Sequence, residues 1–221
     1  MKTVLITGCS SGYGLETARH FHARGWNVVA TMRTPRAGLL AESPRLRLLA
    51  LDVTRPASIA AALDAAGPLD VLVNNAGLGL FGAFEATPMA TVREIFETNT
   101  YGTMAMTQAV LPALRARGAG VVVNVTSSAT LAPMPLVAAY TASKTAVEGF
   151  TASLALELQP FGVRVRLVEP GYAPTTRFTA NGAERMQGLV TPPYAAYAQA
   201  VYASFGQASA LTTEADVAEA V

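Results

Sequence analysis

The chain has 221 residues, 51% of them hydrophobic and 14% charged, so it can close a sizeable core as a single domain spanning residues 1–221. Sixteen Lys and Arg stand against fifteen Asp and Glu, a net charge of +1, and no run of like charge could track a phosphate backbone, which argues against a nucleic-acid partner. Cys9 is the single cysteine, which excludes an intrachain disulfide and a cysteine-based metal cluster and fits a reducing compartment. The apolar stretch from Val4 to Ile6 is too short for a signal-peptide core. No apolar run reaches the roughly 20 residues that cross a bilayer. The expectation is a cytoplasmic protein with no metal and no membrane anchor.

"KTVLIT" reads as a β-branched strand running into Gly8, and from Tyr13 the spacing of Leu15, Ala18 and Phe21 is helical, ending at Gly25. "NVVATM", "LRLLAL" and "LDVLVN" read as three further strands. Before the last of these, Thr54 is placed to cap a helix from about Pro56 to Gly67. The stretch from Pro88 to Gly118 reads as one long helix, followed by the strand "GVVVNVT". A second long helix covers about Ala138 to Leu158, and "VRVRLVEP" is a sixth strand. Strands made of continuous Val, Ile and Leu runs are those of a parallel sheet covered on both faces, so the fold class is α/β, doubly wound. From about Gly171 to Gln207 periodicity fades in a segment rich in Pro, Thr, Tyr and Ala, which reads as a flap.

Two features carry chemistry. The turn after the first strand is "TGCSSGYG", with Gly8, Gly12 and Gly14 at G-x-x-x-G-x-G spacing. Glycines between a strand and a helix let the backbone approach a pyrophosphate, which then rests on the amides and positive dipole of the helix N-terminus. The second feature is "AAYTASKTA", where Tyr140 and Lys144 stand at i and i+4 and so share one helix face. A solvated helix would show the same spacing, so the pair gains meaning only from its company.

That company is ordered: Thr7-Gly8-x-x-x-Gly12-x-Gly14, then "NNAG" at Asn74 to Gly77, then Tyr140-x-x-x-Lys144, then Pro170-Gly171. In this order the set resembles the short-chain dehydrogenase/reductase family in its single-domain form of roughly 250 residues, a Rossmann-like fold. The likeness runs from Lys2 to about Thr176. It implies an NAD(P)-dependent oxidoreductase that interconverts a ketone or aldehyde and an alcohol. By that resemblance Asn99, Ser127, Tyr140 and Lys144 are catalytic, with Ser128 and Thr126 competing for the hydroxyl role of Ser127. Gly8, Ser10, Ser11, Gly12, Tyr13 and Gly14 would cradle the cofactor. Asp52 and Val53 would meet the adenine, although Asp52 could equally begin a turn. Asn75, Ala76 and Gly77, beside Asn74, would wall the adenine ribose. Pro170 and Gly171 would turn under the nicotinamide, whose carboxamide would meet Thr175 or Thr176. Asn99 would distort its helix and hold a water behind the lysine.

Tyrosine is a weak acid with an ordinary pKa near 10. A neighbouring ammonium and the positive nicotinamide ring of the oxidised cofactor favour the phenolate, so Lys144 and the cofactor together are expected to lower the pKa of Tyr140 toward working pH. At the end of the second strand, "ATMRTP" places Met32 where an acid would select NAD, and Arg33 offers a fork suited to a 2′-phosphate, with Arg36 as an alternative. NADP is therefore favoured over NAD, although the glycine motif itself holds no Arg or Lys. The expected substrate is an apolar or aromatic small-molecule carbonyl or alcohol, from the flap residues Phe178, Met186, Leu189, Tyr194, Tyr197, Tyr202 and Phe205. A rival reading is a dinucleotide-binding regulator or scaffold without catalysis, which the retained Tyr140 and Lys144 disfavour. Family members usually continue into a seventh strand beyond "TTEADVAEAV". Its absence would leave the sixth strand an open edge and favour a homodimer through the two long helices over a homotetramer.

Overall fold

In the computed structural model, residues 1–205 and 211–221 are described; the side chain of Phe205 and residues Gly206 and Gln207, counted in the expected flap, lie outside them. The strands are β1 (Thr3–Ile6), β2 (Asn27–Met32), β3 (Leu46–Ala50), β4 (Val71–Asn74), β5 (Gly120–Val125) and β6 (Val163–Val168), all parallel in the order β3-β2-β1-β4-β5-β6. A crevice must open between the C-terminal ends of β1 and β4, because the order reverses there and successive crossovers leave on opposite faces.

Alternation along the strands sorts side chains to two cores. Leu5, Val29, Leu72 and Val122 face α2 (Pro56–Ala66), α4 (Gly102–Arg117) and α5 (Ala138–Leu158), meeting Ile59, Met106 and Leu154. Val4, Ile6, Val28 and Val73 face α1 (Gly12–Ala23) and pack with Ala18 and Phe21. Burial on both faces is why these strands carry no polar alternation. The expected strands and helix class are present, and β6 is an edge of the sheet among the described residues.

Three local expectations are corrected. Arg55, not Thr54, occupies the N-cap of α2 and offers no side-chain cap, because the Thr54 hydroxyl donates to Asp52 Oδ1 at 2.7 Å. The long helix from Pro88 to Gly118 is interrupted: α3 (Met89–Phe96) passes into a π-helical turn (Glu97–Tyr101) before α4, at the place where the resemblance implied that Asn99 distorts the helix. The segment with fading periodicity contains two helices, α6 (Phe178–Met186) and α7 (Pro192–Phe205). Both pack on one apolar satellite core, where Met186, Leu189, Ala198 and Val201 meet Leu80, Ile95 and Val137. A last helix, α8 (Glu214–Ala220), starts at a capping box between Thr213 and Asp216 and packs against α1.

A chain of buried amides and hydroxyls runs through the sheet on the α4/α5 side. Asn74 Nδ2 donates to Thr107 Oγ1 and to Asn124 Oδ1, both at 2.9 Å, and Asn124 Nδ2 donates to Thr151 Oγ1 at 2.8 Å. It ties α4, β4, β5 and α5 together at the end of the sheet that holds the crevice. Replacing Asn124 by Ala removes two buried hydrogen bonds, although Asn74 Nδ2 keeps Thr107 and Thr151 Oγ1 keeps the Val147 carbonyl, so Asn124→Ala should lose about 2 kcal/mol of stability in urea unfolding. A loss below about 0.5 kcal/mol would mean that the chain does not fasten these elements.

Candidate active site

The crevice between β1 and β4 is a cavity of about 1080 Å³. Its nucleotide end is built by the turn after β1. Gly8 has φ +75°, and a Cβ there would sit 2.7 Å from the Ala76 backbone; Gly12 has φ +56°. Both need the left-handed region that glycine alone enters without strain. Gly14 does not line the cavity: a Cβ on it would meet Asn75 Nδ2 at 2.4 Å, so this glycine is required for packing. Asn75 holds the turn from behind, donating to the carbonyl oxygens of Thr7 and Gly8. Thr7 Oγ1 accepts from the amides of Asn75 and Ala76 at 3.0 and 2.9 Å. Thr7 is therefore a clamp residue, legible in the sequence only as a letter before the glycines.

Ser11 stands at the N-cap of α1 without capping it, so amides of the first helical turn are left for an external acceptor. Ser10, Ser11, Tyr13, Arg33, Asp52, Val53, Asn75, Ala76 and Gly77 all line the cavity. Arg33 is exposed at its rim, while Arg36 is turned back to the carbonyl of Ser10. Asp52 also caps its own turn, accepting from the Thr54 amide at 3.0 Å. Uncapped amides, glycines held open and a cationic rim fit a dinucleotide.

At the chemistry end, Ser127, Tyr140, Lys144, Pro170 and Gly171 converge on the same cavity. Tyr140 and Lys144 are buried, at 9% and 6% exposure. Lys144 Nζ donates to the carbonyl of Val125, at the end of β5, at 2.9 Å. Burial brings the lysine down to about 8, with the charge of Glu148 opposing. Burial also lifts the Tyr140 phenol above its ordinary value, against a hydrogen bond with Ser127 that lowers it. In the protein alone the Lys144 ammonium is engaged by Val125, and removal of Tyr140 from water outweighs its bond to Ser127.

Asn99 does not reach the cavity. It sits in the π turn, where its Oδ1 accepts from the Leu78 amide at 2.7 Å and its Nδ2 donates to Leu78 O and Ser143 Oγ. It fixes the wall against α5 one residue before the lysine. Thr175 also lies away from the cavity, because its hydroxyl donates to Glu214 at 2.8 Å; Thr176 is the threonine in the lining. The loop after β6 is held from the other end of the chain, with the Gly171 amide donating to Thr212 Oγ1 and the Thr212 amide to Tyr172 O.

The flap closes the cavity. Phe178 meets Tyr140 edge-on at 5.3 Å and covers Gly79, where a Cβ would lie 2.4 Å from the ring. Met186 and Tyr202 also line it, while Leu189 is buried against Gly82 and Tyr194 and Tyr197 do not line the cavity. On the body side the apolar lining comes from Phe81, Met134 and Val137, which the motifs did not single out. Arg185 on α6 clasps both carboxylate oxygens of Glu94 on α3, at 2.7 and 3.0 Å, and holds that carboxyl below its usual range.

The short chain dehydrogenase family profile matches residues 2–186. The chain is 41% identical over 191 residues to an uncharacterized oxidoreductase, YusZ, of Bacillus subtilis, covering 81% of this chain and 68% of that protein. It is 39% identical over 182 residues to a 3-ketodihydrosphingosine reductase of Bacteroides thetaiotaomicron, covering 80% of this chain and 66% of that one. The chain thus spans about two thirds of the length of these relatives. Among solved structures, a serine dehydrogenase complexed with NADP+ superposes with a TM-score of 0.83 at 30% identity, covering 99% of this chain and 86% of that one. A 3-ketoacyl-(acyl-carrier-protein) reductase of Brucella melitensis complexed with NADH does so with a TM-score of 0.83 at 30% identity, covering 99% and 88%. With the glycine turn, the Tyr140–Lys144 pair and the sheet order already in place, these matches identify the chain as a member of the short-chain dehydrogenase family of oxidoreductases.

Proposed function

We propose that the chain is an NADP-dependent oxidoreductase that interconverts a ketone or aldehyde and an alcohol, with Tyr140 as the general acid and base. The observation that carries this reading is the convergence of Ser127, Tyr140 and Lys144 on one cavity with the glycine turn. The amides of α1 and the turn would hold the pyrophosphate, and Asp52, Val53 and Ala76 would flank the adenosine half. When bound, the dinucleotide supplies or takes up the hydride.

The protein then has two tasks at the carbonyl oxygen. Ser127, already hydrogen-bonded to Tyr140, would donate to that oxygen as negative charge grows on it. Tyr140 would deliver its proton there in reduction and remove it in oxidation. A phenol kept protonated by burial suits the reducing direction. Lys144 would support the phenolate left behind and, bonded to Val125 O, keeps a fixed position under the site. Met134, Val137, Phe178 and Met186 around the reacting end favour an apolar or aromatic substrate, consistent with a relative whose name carries a ketone.

Arg33 supports NADP: it lines the cavity directly after Met32, which stands where an acidic residue would select the free ribose hydroxyl. Arg33→Asp should reverse the order of thermal stabilisation by NADP and NAD, read as the shift in Tm with each. An unchanged order would remove Arg33 from cofactor choice. Tyr140→Phe should reduce turnover of an apolar ketone with NADPH by at least about 1,000-fold while dinucleotide affinity stays within a few fold. Turnover within about tenfold of the parent chain would contradict the acid–base role.

A further inference from the structure

The line of Tyr140 and Lys144 continues along α5. Glu148 follows Lys144 by four residues and so lies on the same helix face. Its Oε1 is buried and has no hydrogen-bond partner among the described residues. Its carboxyl is within hydrogen-bond reach of Glu169, the residue directly after β6.

Strand parity explains this meeting. Val163 and Val165 pack with Leu154 and Leu158 of α5, so Glu169, of the same parity, falls on the α5 side. Arg164 and Arg166 alternate to the opposite face and are exposed. In a βαβ crossover the helix runs back along the sheet, which brings Glu148, ten residues before Leu158, toward the far end of β6.

The Glu169 side of the pair is exposed to water, and a neighbouring cation favours the ionised form of both carboxyls. The other charged groups near α5 are engaged elsewhere or distant along it. Glu94 of α3 is held by Arg185. Arg93 and Glu97 belong to α3 and the π turn, which pack toward the N-terminal half of α5 through Ile95 and Thr100. On α4, Arg117 pairs with Asp70 and Arg115 lies over Phe161, beyond the C-terminus of α5. Lys144 is the cation on the face of Glu148.

We propose that Glu148 is a positioning residue whose carboxylate, one helical turn after Lys144 on the same face of α5, keeps Lys144 an ammonium at neutral pH and so keeps it able to support Tyr140. The electrostatics agree in direction. Burial lowers Lys144 to about 8, and the charge of Glu148 opposes that fall. Burial, followed by the charge and hydrogen bond of Glu148, raises the Glu169 carboxyl. The consequence for turnover rests on the function proposed above; the titration of Lys144 does not.

Lys2 and Lys144 are the only lysines in the chain, which makes a direct test simple. In protein carrying lysine labelled with carbon-13 at Cε, two signals titrate, and Lys2→Arg identifies the remaining one as Lys144. The parent chain should give a midpoint near about 8. Glu148→Gln should lower it by about one unit, and Glu148→Asp, which keeps a carboxylate on that face, by less. A midpoint in Glu148→Gln that coincides with the parent, or an Asp variant displaced as far as the Gln variant, overturns the proposal. Should the Gln variant fail to fold, Glu148→Ala, which also removes the charge, takes its place, and a midpoint there that coincides with the parent overturns the proposal. Because no turnover is measured, failure here is separate from failure of the proposed reaction.

Discussion

The buried ammonium of Lys144 is the constraint around which the site is arranged. A charge with 6% exposure at the end of a sheet survives only where acceptors are aimed at it, and the carbonyl of Val125 provides one because the strand ends there. Helix α5 must therefore be held to a narrow rotation. Ser143 does this on one side, donating to Tyr140 O while accepting from Asn99 Nδ2, with Thr100 Oγ1 donating to its carbonyl. Thr151 does it two turns later through Asn124. Once α5 is fixed, Tyr140 has one place to go, into the satellite core beneath the flap.

The π turn belongs to the same constraint. A regular α-helix through Glu97–Tyr101 would satisfy its own backbone in the usual way; the wider turn instead places Asn99 opposite Leu78, where it bonds both amide and carbonyl. That pins the loop after β4, whose Gly77 lies in the cavity wall close to Lys144. The glycine turn is held independently by Thr7 and Asn75. The glycine turn and the Tyr140–Lys144 end are thus joined at residues 75–78, with the flap fastened across them by Phe178 and by Arg185 on Glu94.

What could be read from the chain beforehand followed physical strength of signal. Val4–Ile6, Val28–Ala30 and Val121–Val123 announce buried parallel strands because both faces of such strands are apolar, and Gly8 and Gly12 announce a turn because their backbone excludes other residues. The break at Glu97–Tyr101 is not legible in the residues themselves, since its cause is a tertiary partner, Leu78, and nothing in "ETNTY" is a helix breaker; only the family resemblance implied a distortion at Asn99. Thr54 looks like a cap in one dimension and becomes the partner of Asp52 in three. Thr175 and Thr176 are equivalent as letters and are separated only by Glu214, which lies 39 residues further on. Helix α7 leaves no periodic signal because small residues and aromatics cover most of its faces, blurring the apolar stripe, and α6 is only nine residues long.

The most direct measurement is calorimetric titration of the chain with NADP and with NAD in separate runs, since it needs no knowledge of the substrate. Micromolar binding with NADP the tighter ligand is the expected result, and it would connect the uncapped amides of α1 and the rim position of Arg33 to one ligand. Binding of neither dinucleotide would contradict the central claim that this cavity is a nicotinamide site.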